Sequence, residues 1–223
     1  MEGEAALSPE AGFWRRPSGW VWAVFCLALG IFLASMVTWH EGRRFVARRL
    51  TPQETRIVMQ ALAVWESMPV QERDGDVVLL RRMLLEGRLL AMEASTFERP
   101  EERGTFGYTD ERGRILLNPN LCFANGRMCG SLKPDGCDVV ATLCTLYHET
   151  RHLIGQAGES LAYEQEWLFA RRTLVWADER GQTALVEDLA EWEREMPTRI
   201  RLYLGREALE EIQLRLEPTL SQR

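Results

Sequence analysis

The sequence predicts an α+β fold, mostly α, behind one N-terminal transmembrane helix. Three observations lead there. An uncharged run of 21 residues, Gly19–Trp39, is long enough to cross a bilayer. Apolar residues then recur at helical spacing through five further stretches. Among these lies one alternating segment, residues 104–117, with the pattern of a β-hairpin. The expected organisation is a disordered tail over 1–18, a membrane helix over 19–40 and a single domain over 41–223.

The tail is polar and carries Pro9 and Pro17. At 1.5 Å per residue the apolar run spans about 30 Å, the thickness of a bilayer's hydrocarbon core. Trp20 and Trp22 at one end and Trp39 at the other suit the two interfaces. A cleaved signal peptide would have a shorter apolar region followed by small residues, whereas Met36, Val37 and Trp39 are bulky. The segment therefore reads as an uncleaved single-pass anchor. Arg43, Arg44, Arg48 and Arg49 outnumber Arg15 and Arg16, which by the positive-inside rule puts the domain in the cytoplasm.

Beyond the anchor, Thr51-Pro52-Gln53-Glu54 is a capping box with proline at the first helical position. The helix it opens repeats Ile57, Val58, Ala61, Val64 and Trp65 on one face. A leucine-dense helix is expected over 76–92. In the hairpin, Asp110-Glu111-Arg112-Gly113 makes the turn, Ile115-Leu116-Leu117 the second strand, and Asn118-Pro119-Asn120 its end. Three helices follow, over 138–155, 159–179 and 182–216, the last broken near Pro197. Trp167, Trp176 and Trp192 lie on leucine-rich faces and read as core.

Cys26 falls inside the anchor, and the other four cysteines, Cys122, Cys129, Cys137 and Cys144, crowd into 23 residues. An even number in a loop-rich segment reads as two disulfides and an oxidising compartment. Cys137 and Cys144 stand about 10 Å apart along one helix, too far to bridge each other. Each is expected to pair with Cys122 or Cys129. A structural zinc site and four free buried thiols are the rivals, although the spacing lacks the paired C-x2-C knuckles of zinc sites. The cysteines thus argue against the arginines, and on balance the domain reads as extracytoplasmic.

Composition narrows the partners. A net charge of −6 and a pI near 5.3 argue against nucleic acid, which wants a basic face. Of only three histidines, two fall within five residues, in Tyr147-His148-Glu149-Thr150-Arg151-His152. Such a pattern arises by chance about once in 200 chains of this composition. On a helix, His148 and His152 share a face and can hold one metal, expected to be Zn2+. Glu149 sits beside the ligands, placed to act as general base on a zinc-bound water. Asp138 is the expected N-cap, and Val139, Val140, Leu143 and Leu146 form the apolar stripe behind the motif. Arg151 turns away from the histidines, towards solvent or an ion pair.

Zinc needs a third protein ligand, and Glu159, Glu164 and Glu166 are near. Gly155 and Gly158 can turn the chain into an antiparallel helix, which would set Tyr163 or Glu166 opposite the histidines. Tyr163, Tyr147 and Tyr108 are candidate hydrogen-bond donors to a developing oxyanion, and Tyr163 is the one retained.

The HExxH segment followed by Glu159-Ser160-Leu161-Ala162-Tyr163 resembles the gluzincin class of zinc metallopeptidases. The resemblance covers roughly 105–170 and implies a zincin-like domain in which a glutamate on the next helix completes the site. It makes Glu159 the preferred third metal ligand beside His148 and His152, with Glu166 next, and leaves Glu149 and Tyr163 as the catalytic residues read above. Ile115–Pro119 resembles the edge strand that lies beside the motif helix in such folds. What it implies is zinc-dependent hydrolysis of a peptide or protein substrate at a membrane. The rival is a non-catalytic, membrane-tethered binding module on the same scaffold.

Overall fold

In a computed structural model of the chain, the described residues are 27, 46–69, 76–93, 105–123, 137–155 and 158–220. The segments expected as tail and anchor, apart from Leu27, lie outside them, as do His40 and Cys129. Among the described residues no helix is long and apolar enough to cross a membrane. The compact unit described below is Phe45–Arg223.

The unit is mostly helical with one small mixed sheet. Strand β1 (Ala47–Arg49) leads into helix α1 (Pro52–Ser67). The capping box forms as the sequence predicts: the Glu54 amide donates to the Thr51 hydroxyl, and Glu54 Oε2 accepts from the Thr51 amide at 2.7 Å. Arg48 clamps the same carboxylate in two bonds of 2.6 and 2.7 Å. Burial pulls the Glu54 pKa upward, but the Arg48 and Thr51 donors outweigh it and leave the carboxyl below its ordinary value. A group with a depressed folded pKa stabilises above its unfolded pKa and loses that contribution as pH falls through the folded one. Glu54→Gln is therefore expected to cost about 1–3 kcal/mol at neutral pH, with a gap to the parent protein that closes below about pH 4. Urea unfolding of both proteins across pH 3–7 checks this; a gap independent of pH would refute it.

Helix α2 (Asp76–Leu85) is shorter than expected. Gly87, at φ +67°, reverses the chain, and residues 89–92 form strand β2 (Leu89–Met92) instead of a last helical turn. All four β2 residues are buried, so no polar face alternates to betray the strand. The expected hairpin does form, as β3 (Gly107–Thr109) antiparallel to β4 (Ile115–Leu117), with Gly113 at φ +63° in its turn. The sheet order is β1-β2-β4-β3, with β2 and β4 parallel and Leu90 opposite Leu116. The edge strand beside the motif helix is thus β3; Ile115–Leu117, expected at the edge, is interior because β2 claims its other side.

Asn118 caps a single turn, α3 (Pro119–Cys122). The motif helix α4 (Cys137–Leu153) follows, beginning one residue early, so that Asp138 lies within its first turn. It is the hub of the unit, buried without a break from Val140 to Arg151 and packed by α1, α5, α6, β3 and β4. Helices α5 (Glu159–Glu179), α6 (Thr183–Leu204) and α7 (Arg206–Leu220) stack behind it. Pro197 is accommodated inside α6, and the expected break falls instead at Gly205, at φ +90°. Trp167, Trp176 and Trp192 are buried, as expected.

Among the described residues there is no disulfide. Cys122 and Cys144 are both buried thiols, which corrects the expected pairing of Cys144 with Cys122 or Cys129. Cys144 faces the core, and burial, then the Glu166 charge, drives its pKa well up. Cys122 donates to the Phe106 carbonyl and to Thr145. These two serve as small apolar core residues, a role cysteine fills as readily as cross-linking.

Candidate metal centre

The helical period puts the two motif imidazoles one turn apart on the same side of α4, and their Nε2 atoms face each other at 3.1 Å. Glu159 closes the third side: one carboxylate oxygen is 3.3 Å from His148 Nε2, the other 3.5 Å from His152 Nε2. A helix hairpin of equal arms would have brought Tyr163 or Glu166 there. Helix α4 stops at Leu153, immediately after His152, and Glu159 is the first residue of α5. Side chains lean towards a helix's N-terminus, so a residue in that position reaches back across the turn.

These distances fit a metal. Ligand atoms about 2.0–2.1 Å from a tetrahedral ion lie about 3.3 Å from one another, and the observed separations are 3.1, 3.3 and 3.5 Å. His148, His152 and Glu159 are the group of donors that could hold a cation among the described residues.

Glu166 has a different place from the one expected of a rival ligand. It lies two turns beyond Glu159 on α5, and its Oε2 is 2.9 Å from His148 Nδ1, the nitrogen away from the cluster. Its other oxygen accepts from the Trp192 indole at 3.0 Å. A carboxylate held at one end and bonded to Nδ1 fixes the imidazole so that Nε2 faces the cluster. Burial disfavours a charge on His148, but Glu159 and Glu166 together outweigh it and lift its pKa to about 10. The same hydrogen bonds, from His148 and then His152, hold the Glu159 carboxyl well below its ordinary value. Glu159 and Glu166 thus favour positive charge at His148. Glu164, the other rival, turns away and pairs with Arg215 on α7.

Glu149 is buried beside the cluster. Thr109 on β3 donates to its Oε2 at 2.8 Å and also lies 3.1 Å from its backbone carbonyl. Burial raises the Glu149 pKa above the ordinary carboxylate value. Strand β3 can come this close because residue 107 is glycine: a Cβ there would stand 2.6 Å from Thr145 Cγ2 and 2.8 Å from Glu149 Oε1.

Of the three tyrosines, Tyr163 alone joins the site. Its ring meets the His148 ring edge-on at 4.7 Å, and burial pushes its pKa well up. Tyr147 is core, stacked on Phe169 at 4.0 Å. Tyr108 packs against Leu116 on the other side of the sheet. Arg151 is buried, not solvated: it forms an ion pair with Asp76 and lies over the Tyr147 ring at 4.6 Å.

A cavity of about 250 Å³ opens onto the cluster, lined among others by Gly107, His148, Glu149, Glu159, Tyr163 and Arg199. Sequence reasoning missed Thr109, Trp192 as a hydrogen-bond donor, and Arg199. None of these three carries a local sequence signal, whereas Glu166, named as a rival ligand, lies two turns from Glu159 on one face. Comparison of the chain with protein-family models, with curated proteins and with solved structures finds no match.

Proposed function

We propose that this chain is a membrane-anchored, zinc-dependent hydrolase of peptide bonds, with the ligand set of a gluzincin. One observation carries the reading: His148, His152 and Glu159 converge on a single point, with the Glu149 carboxylate beside it and a cavity in front. Two imidazoles and one carboxylate suit zinc better than calcium or magnesium, which prefer all-oxygen sites. Bound there, zinc would supply Lewis acidity to a carbonyl and acidify water.

The remaining chemistry falls to side chains. Thr109 holds Glu149 Oε2, which leaves Oε1, on the Gly107 side, to take a proton from the attacking water. As the water oxygen bonds to the scissile carbon and the carbon–nitrogen bond breaks, Glu149 passes that proton to the leaving amine. The Tyr163 hydroxyl serves the developing negative charge on the carbonyl oxygen. Glu166 and Trp192 keep His148 aimed. The anchor is the run Gly19–Trp39. Cys122 and Cys144, being thiols, do not require an oxidising compartment on either side of the membrane.

Zinc analysis of the full chain in detergent tests the reading. One equivalent is expected in the parent protein. Glu159→Ala should abolish stoichiometric binding, whereas Glu166→Ala should weaken it by about 10–100-fold, the cost of losing an orienting partner. No zinc in the parent protein would sink the proposal. Full zinc occupancy with no turnover of a broad peptide library would favour the tethered binding module.

A further inference from the structure

Resting on that reading, we propose that Arg199 selects the substrate by pairing with a carboxylate close to the scissile bond, either a free chain end or an acidic side chain.

Arg199 is on α6 and, among the described residues, is the only arginine or lysine lining the cavity. Its guanidinium lies 3.4 Å from the centre of the Trp192 ring and 4.7 Å from that of Phe106, whose rings meet edge to face at 5.2 Å. The planar group is thus clamped by aromatic contact, which restricts its orientation without using its donors. Among the described residues it has one acceptor: Glu195, one turn earlier, at 3.1 Å from Nη2. Nε and Nη1 have none. The side chain is only 12% exposed, and it lines the cavity.

Among the described residues no acidic group of the cavity wall meets that need. Glu149 is held by Thr109, Glu159 faces the two histidines, and Glu166 is shared between His148 and Trp192. A fixed guanidinium with donors to spare matches a carboxylate, which it can bind through two parallel hydrogen bonds. Trp192 stacks on Arg199 and donates to Glu166, so this carboxylate seat and the metal cluster share one wall. The cavity, near 250 Å³, is below the about 300–1,000 Å³ of pockets that enclose a whole small ligand. The carboxylate it admits must lie within a residue or so of the bond to be cut.

The experiment uses the zinc-loaded full chain in detergent and four N-acetylated peptides that differ only in charge. One pair has a free or an amidated C-terminus; the other has Glu or Gln at the penultimate position. Turnover is expected to favour the acid of one pair by about tenfold or more in kcat/KM, carried mainly by KM. The pair that responds identifies a chain end or a side chain as the source. Arg199→Gln should abolish the preference, and Arg199→Lys should keep part of it. Calorimetric binding of the same peptides to zinc-loaded Glu149→Gln protein should show the same ratio without any turnover. Equal rates for acid and amide in both pairs, or a preference that survives Arg199→Gln, overturns the role of Arg199 alone. Failure to bind or cleave any of the four peptides overturns the hydrolase reading together with it. If Arg199→Gln does not fold, the ratio in the parent protein and its reduction in Arg199→Lys decide the matter.

Discussion

Glu149→Gln is expected to retain zinc and to lower peptide hydrolysis by about 10²–10⁴-fold, the usual contribution of a positioned general base. The glutamine is isosteric and can still accept the Thr109 hydroxyl bond that Oε2 accepts now, so the fold and the neighbouring histidines should stay in place. It has no basic oxygen with which to take a proton from water. Loss of turnover without loss of metal would separate proton transfer from metal binding, because Glu149 is not among the three converging donors. Zinc analysis and kcat on one preparation suffice as the check. A variant within tenfold of the parent would place the base elsewhere in the cavity.

Arg151→Ala should cost about 3–5 kcal/mol of stability, the largest effect expected away from the cluster. Arg151 and Asp76 form an ion pair in which both residues are nearly inaccessible. Removing the cation strands the Asp76 carboxylate in the interior, where the desolvation penalty is no longer offset. The guanidinium also covers Tyr147, which is packed between Trp65 and Phe169 at the centre of the core. Replacing both partners, as Asp76→Ala with Arg151→Met, should cost clearly less than the sum of the single changes, since neither charge is then left alone. Denaturant unfolding of the four proteins checks both statements. A single-variant loss under 1 kcal/mol would mean that water reaches the pair.

How far the chain could be read from its residues depended on whether the signal was local. The capping box at Thr51–Glu54, the turn at Gly113 and the span of α5 were legible because short-range hydrogen bonds and periodicity decide them. Strand β2 was not. Leu89–Met92 repeats the leucine-dense composition of the helix before Gly87, and beyond that turn its pairing with β1 and β4 makes it extended. The buried thiols of Cys122 and Cys144 misled for a related reason, since spacing along the chain does not say whether a cysteine faces a partner or the core.

The site divides in the same way. His148, Glu149 and His152 follow from five consecutive residues and a helical period of 3.6, so the sequence alone determined them. The separation of Glu159 from Glu166 into a donor at the cluster and a support behind it could come only from the tertiary structure. It depends on α4 ending one residue after His152 and on Trp192 reaching across from α6. Contacts made along one helix are set by its pitch. Those between helices are set by where each one stops and how the whole unit packs.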